Sequence, residues 1–158
     1  MAPPKRGALT DGAQLTHLDE QGRPRMVDIV EKETTQRTAV AQGHIRMSLE
    51  TLTTIKAGDV RKGDALQVAR LAAIMGGKRT SDLIPLCHQL PGASFSVEVE
   101  PDDDLPGIVI RVEAKVLGQT GIEMEALTAV SVGLLTVYDM AKSLDRGMVI
   151  EDVHLRFK

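Results

Sequence analysis

Residues 93–117, Ala93-Ser-Phe-Ser-Val-Glu-Val-Glu-Pro-Asp-Asp-Asp-Leu-Pro-Gly-Ile-Val-Ile-Arg-Val-Glu-Ala-Lys-Val-Leu117, decide the fold. Phe95, Val97 and Val99 alternate with Ser96, Glu98 and Glu100, the period of a strand that buries one face. The spacing predicts two strands, Ala93 to Glu100 and Ile108 to Leu117. Pro101, three aspartates, Pro106 and Gly107 separate them and read as the turn of a hairpin.

Downstream, Thr120 and Glu123 have the spacing of a capping box. From Ile122 to about Leu144 only Gly133 interrupts and proline is absent, which predicts a long helix. Arg146 and Gly147 end it, and Met148 to Phe157 alternates as a final strand. Upstream, the period fails from Lys78 to Gly92, and Pro85 and Pro91 restrict the backbone around its apolar but irregular part, Leu83 to Leu90. Before that comes an apolar helix, opened by Asp64 and Gln67 at capping-box spacing and ended at Gly76 and Gly77. Ser48 is placed to cap a shorter helix carrying Leu49, Leu52 and Ile55, with Gly58 to terminate it. Thr34 to Met47 reads as the first strand. Residues 1–25 are expected to form a mostly irregular arm, and residues 26–158 a single catalytic domain. The resulting order, strand, paired helices, strand, strand, helix, strand, matches the split βαβ arrangement. The expected class is α+β and ferredoxin-like, an antiparallel sheet covered by helices on one face.

Composition removes several function classes. The 158 residues suit one domain, and the one cysteine, Cys87, excludes an intrachain disulfide framework. Four scattered histidines lack the repeated spacing of a structural metal site, so neither a metal nor a cofactor is expected. A net charge of -3 with only 2% aromatic residues argues against a nucleic-acid partner. No apolar core follows Lys5 and Arg6, and no run approaches about 18 apolar residues, so the expectation is a soluble, cytoplasmic protein without a membrane partner.

On the long helix, Leu127, Val130, Leu134, Val137, Ala141 and Leu144 recur at spacings of three and four and form a stripe expected to pack on the sheet. Glu125, Thr128, Val132, Leu135, Asp139 and Lys142 form a second, partly apolar stripe, which points to contact with another subunit. Glu125 and Asp139 are about 21 Å apart at 1.5 Å rise per residue, too far for one small site in one chain. Two such helices antiparallel about a two-fold axis would bring one subunit's Glu125 near its neighbour's Asp139. The same spacing also fits a plain arrangement, with Glu125 solvating the helix start and Asp139 and Lys142 making an intrahelical pair.

Asp139 and Lys142 put a carboxylate and an amine on one face, able to hold or move protons if partly buried. Lys62, Gly63 and Asp64 set a cation before a helix N-terminus, where anions such as phosphates are favoured, although a turn with a solvated lysine has the same pattern. Lys78 and Arg79 suit either phosphate or the helix C-terminus. His88, in the irregular segment, fits substrate contact or a satisfied buried histidine. Glu123 has a structural role available in the capping box, while Glu125 has none.

The runs Gly77-Lys-Arg-Thr-Ser-Asp-Leu-Ile-Pro-Leu-Cys-His88, Thr120-Gly-Ile-Glu-Met-Glu-Ala-Leu-Thr-Ala-Val-Ser131 and Tyr138-Asp-Met-Ala-Lys142, with Lys62-Gly-Asp64, closely resemble the MoaC family. The likeness extends over nearly the whole chain from about Leu15, including His17 to Ile29. It implies conversion of (8S)-3',8-cyclo-7,8-dihydroguanosine 5'-triphosphate, a cyclised GTP derivative, into cyclic pyranopterin monophosphate with release of pyrophosphate. It implies Asp139, Lys142 and Lys62 as catalytic residues. Leu86, Cys87, His88, Met124 and Glu125 fall on its substrate-binding segments, Glu123 on the motif's other glutamate, and Lys78 joins that set. It also implies a homohexamer built from dimers, with active sites at subunit interfaces. Many members continue past the last strand in a Gly-rich, Lys-containing tail; this sequence stops at Phe157-Lys158, and the expectation is a site without that cover. The rival reading is a non-catalytic ferredoxin-like binding domain, since fold alone fixes no function. A sheet-surface RNA binder fits less well, because the central strands supply only Phe95 as an aromatic.

Overall fold

Alternation sets the sheet. In the computed structural model, which describes residues 17–19 and 21–158, the chain runs β1 (Thr35–Arg46), α1 (Leu49–Ala57), α2 (Ala65–Lys78), α3 (Thr80–Leu83), β2 (Ser94–Asp102), β3 (Gly107–Gly118), α4 (Glu123–Ala141) and β4 (Val149–Phe157). Most of the arm expected over residues 1–25 lies outside the described residues. Val97 pairs with Val112, and Val112 with Ala41, so the apolar members of three strands share one face. Ser96, Glu98, Arg111 and Glu113 share the opposite, polar face.

The strands lie in the order β2-β3-β1-β4 with every neighbouring pair antiparallel. This is the ferredoxin-like order: α1 and α2 fill the crossover from β1 to β2, and α4 fills that from β3 to β4. At the hairpin tip the Asp102 carboxylate accepts from the Asp104 and Leu105 N–H groups, a local bond that sets the turn. β4 carries an irregularity opposite Gln42 and His44, where Asp152 adopts φ 55°.

Three expected helix signals form as read. Ser48 Oγ accepts from Thr51 N–H at 3.2 Å, Asp64 Oδ1 accepts from the Leu66 and Gln67 N–H groups, and Gly58 takes the left-handed conformation at φ 76°. Two do not. The Thr120/Glu123 box is absent: the N-cap is Ile122, with no side-chain cap bond, and α4 starts at Glu123. The Glu123 carboxylate instead folds back over Gly121, where any Cβ would collide with it. α2 also runs through Gly76 and Gly77 to Lys78 rather than ending there. A Cβ at 76 would lie 2.7 Å from Val132 Cβ, and one at 77 would strike the Phe95 ring, so these glycines admit neighbours instead of breaking the helix. Within the expected irregular segment, α3 forms a single turn.

Val130, Leu134, Val137 and Ala141 of α4 are fully buried, as the first stripe requires, and Leu127 is half-buried, but the helix ends at Ala141, before Arg146 and Gly147, and leaves Leu144 exposed. Burying an aliphatic side chain of this size is worth roughly 1.5–3 kcal/mol, against about 1 kcal/mol for an absent N-cap, so packing holds α4 in place without one. The second stripe is only partly outward. Val132 lies against Gly76, and Glu125 is buried, which leaves Leu135, Asp139 and Lys142 exposed. Val68, Leu71 and Met75 of α2 are exposed on the same helical layer.

A Cβ on Gly43 would sit 2.8 Å from Leu134, Val130 and Val153 side-chain atoms. Overpacking costs about 1–3 kcal/mol and outweighs the roughly 0.4–1 kcal/mol gained by restricting the unfolded chain. Gly43→Ala is therefore expected to lower the urea midpoint at unchanged slope; an unchanged or higher midpoint would contradict this packing.

Candidate functional site

Three segments enclose a cavity of about 510 Å³. The first flanks a tight turn in which Leu18 bridges Pro24 and the Asp19 carboxylate binds Arg23 at 2.8 Å; it contributes His17 before the turn and Val27, Ile29 and Lys32 after it. The second is the chain after α3, contributing Ile84, Leu86, Cys87 and His88. The third leads into α4, with Thr120, Gly121, Glu123 and Met124. Leu86, Cys87, His88, Glu123 and Met124 thus come together as one lining. His88 Nε2 lies 2.7 Å from the Val27 carbonyl. A carbonyl can only accept, so Nε2 carries the hydrogen, and in the neutral ring Nδ1 is left as the acceptor. Lys158 Nζ stands 3.6 Å from the Glu123 carboxylate.

Glu125 is 3% exposed and lines an adjoining cavity of about 320 Å³ together with Lys78, Thr80, Ser81 and Leu90. The Cys87 thiol donates to its Oε1 at 3.7 Å, while Oε2 has no partner among the described residues. Burial raises the Glu125 pKa. Burial, and then the Glu125 charge, push the Cys87 thiol up to about 11. Cys87 is therefore a neutral thiol at physiological pH and not a nucleophile. Glu125 does not face outward as the second stripe of α4 suggested, because the non-helical stretch after α3 folds over the start of α4 and covers it.

Asp139, Lys142 and Lys62 meet at the other end of α4. Lys142 Nζ donates to Asp139 Oδ1 at 2.8 Å, and Lys62 Nζ to Oδ2 at 2.8 Å and to the Asp139 carbonyl at 2.9 Å. Lys62 reaches there from the loop before α2, where Gly63 has φ 102°. Its ammonium does not serve the α2 N-terminus, whose free N–H groups Asp64 already caps. Hydrogen bonds from Lys142 and then Lys62 hold the Asp139 pKa down to about 2. The carboxylate is thus ionised throughout the physiological range and only a weak base while both ammonium groups remain on it.

None of these three residues lines either cavity. Sixteen residues of helix place Glu123 about 24 Å from Asp139 at 1.5 Å per residue. The expected residues therefore form two groups within one chain. Lining residues missed in the sequence are His17, Val27, Ile29, Lys32, Ile84, Thr120 and Gly121; the first three fall in the His17 to Ile29 resemblance, which flagged the segment without resolving its members. Nothing in composition or spacing marked Lys32. Among the described residues no three His, Cys, Asp or Glu side chains converge to hold a metal ion.

A carboxyl with a lowered pKa supports folding above its unfolded value of 3.8 and loses that support as pH falls toward about 2. Carbon-13 NMR of the Asp139 carboxyl is expected to titrate near 2 and to move toward 3.8 in Lys142→Ala; the same midpoint in both proteins would contradict the clamp.

The sequence model of the MoaC family matches residues 26–158. The chain is 56% identical over 144 residues to the cyclic pyranopterin monophosphate synthase of Dinoroseobacter shibae, with 91% of each chain covered. It is 56% identical to the protein of the same name from Cereibacter sphaeroides, again with 91% of each covered. With a family match across both residue groups and relatives of this identity along nearly the full length, the chain belongs to the MoaC family.

Proposed function

We propose that this chain is an enzyme of molybdenum cofactor biosynthesis that converts (8S)-3',8-cyclo-7,8-dihydroguanosine 5'-triphosphate into cyclic pyranopterin monophosphate and pyrophosphate, the activity for which its relatives are named. The observation that carries the mechanism is the division of the polar residues into two incomplete halves at opposite ends of α4. The larger cavity offers apolar walls with His88 and Glu123, suited to a fused ring system that must exchange protons. The far end offers two ammonium groups on one carboxylate, suited to phosphate.

In this reading the site is shared between two copies in a homo-oligomer, with dimers as the units of a hexamer. Leu86, Cys87, His88, Met124, Glu123 and Glu125, with Lys78, come from one copy; Lys62, Asp139 and Lys142 come from the other. A hydroxyl oxygen of the substrate attacks the α-phosphorus, its proton passes to the Asp139 carboxylate, and the bond to the β-phosphate oxygen breaks, so pyrophosphate leaves with the bonding pair. Lys62 and Lys142 neutralise the charge that develops on the departing oxygens. Asp139 holds both ammonium groups in place, and becomes a better base as the triphosphate draws them away from it. Lys142 donates a proton to the leaving side, and His88 Nδ1 or Glu123 accepts one from the ring. Exposed Leu135, Val68, Leu71 and Met75 on the helical layer support a contact between copies.

Incubation of the protein and of Asp139→Asn with the cyclised intermediate, following pyranopterin and pyrophosphate together, tests the assignment. Both products are expected in step, and the variant is expected to be slower by at least about 100-fold. Tight binding without turnover by the unmutated protein would contradict it and favour a binding domain.

A further inference from the structure

The segment from Val27 to Lys32 walls the larger cavity yet belongs to no strand or helix. Val27 and Ile29 are half-buried, while Met26, Asp28, Val30 and Lys32 are exposed, Val30 at 78%. Two apolar contacts give such a segment little hold, so hydrogen bonds to the rigid scaffold decide where it sits. His88 supplies one, to the Val27 carbonyl. Gln119 supplies the other two: its Nε2 donates to the Lys32 carbonyl at 2.9 Å and to the Val30 carbonyl at 3.3 Å. Both partners can only accept, and a carboxamide nitrogen has two hydrogens to give, so the match is complete and fixes the orientation of the amide. Gln119 directly follows β3 and precedes the Thr120 and Gly121 lining, so it ties the wall to the end of a central strand beside that lining. Lys32 itself makes no ion pair among the described residues.

We infer that Gln119 is a positioning residue: by fastening the Val30 and Lys32 carbonyls it holds the 27–32 wall closed and sets the Lys32 ammonium at the cavity as a contact for an anionic group of the substrate. The inference rests on the reading of this cavity as the substrate site. Gln119 touches no reacting atom and acts through the wall. Loss of its two donors should therefore weaken substrate capture more than the chemical step, since the groups at the other end of α4 are untouched.

Gln119→Met keeps the side-chain length and removes both donors. Amide hydrogen exchange over residues 27–32 without substrate is expected to be about tenfold faster in this variant. With the cyclised intermediate, KM is expected to rise about tenfold with kcat within roughly a factor of two. Lys32→Gln is expected to raise KM while leaving exchange at the unmutated rate, which separates the contact from the fastening. Unchanged exchange in Gln119→Met, or unchanged KM in Lys32→Gln, overturns the inference while leaving the proposed reaction standing. No turnover by the unmutated protein would sink that reaction, and the exchange measurement would still decide whether Gln119 holds the wall.

Discussion

Close packing around α4 governs the rest of the molecule. Gly133 lets the helix approach Ile110 and Ala73, where a Cβ would lie 2.8 and 3.2 Å from them, while Gly76 and Gly77 let α2 meet Val132 and Phe95. A helix pinned between a sheet and a second helix has no room to bend, and its 19 residues act as a fixed spacer. Glu123 and Asp139 are held at its two ends, and the chain cannot fold either group onto the other. The separation that helix rise gives in the sequence is therefore kept in three dimensions, as two groups of polar residues.

The two groups differ electrostatically, which is what the proposed division of one substrate between them requires. At the start of α4, burial dominates: the Cys87 thiol and the Glu125 carboxyl are both pushed toward their neutral forms. A ring system bound there would meet a thiol that keeps its hydrogen and a carboxyl whose charge burial disfavours. At the end of α4, paired charge dominates, and Asp139 is kept ionised by two exposed lysines. Side chains about half exposed are screened by water, so that cluster contributes little to folding and its lysines remain available to an incoming polyanion.

Much of the fold was legible because its signals are local. Strict alternation from Phe95 to Val99 gave a strand and its buried face, and Ser48, Asp64 and Gly58 marked helix ends through bonds made within three residues. The failures had non-local causes. Gly76 and Gly77 read as a helix end, yet their lack of side chains serves contacts with Val132 and Phe95. Thr120 and Glu123 had capping-box spacing, but Glu123 turned back over Gly121. Glu125 read as outward because periodicity cannot report that an irregular segment 38 residues earlier covers it. That Leu86, Cys87, His88, Glu123 and Met124 line one cavity was legible only as a set of long motifs, and their distance from Asp139 through helix rise alone. The wall from Val27 to Lys32 was not, because it has no period and is held by the side chains of His88 and Gln119.

Subunit mixing tests the shared site most directly. Asp139→Asn and Glu123→Gln, each inactive alone, would be unfolded or dissociated together and reassembled. If each site draws Glu123 from one copy and Asp139 from another, random pairing restores about one quarter of the unmutated activity, since half of the pairs are mixed and each has one intact site. Activity that stays at the level of the separate variants, in a mixture shown to contain mixed oligomers, would mean that each chain completes its own site and would contradict the account.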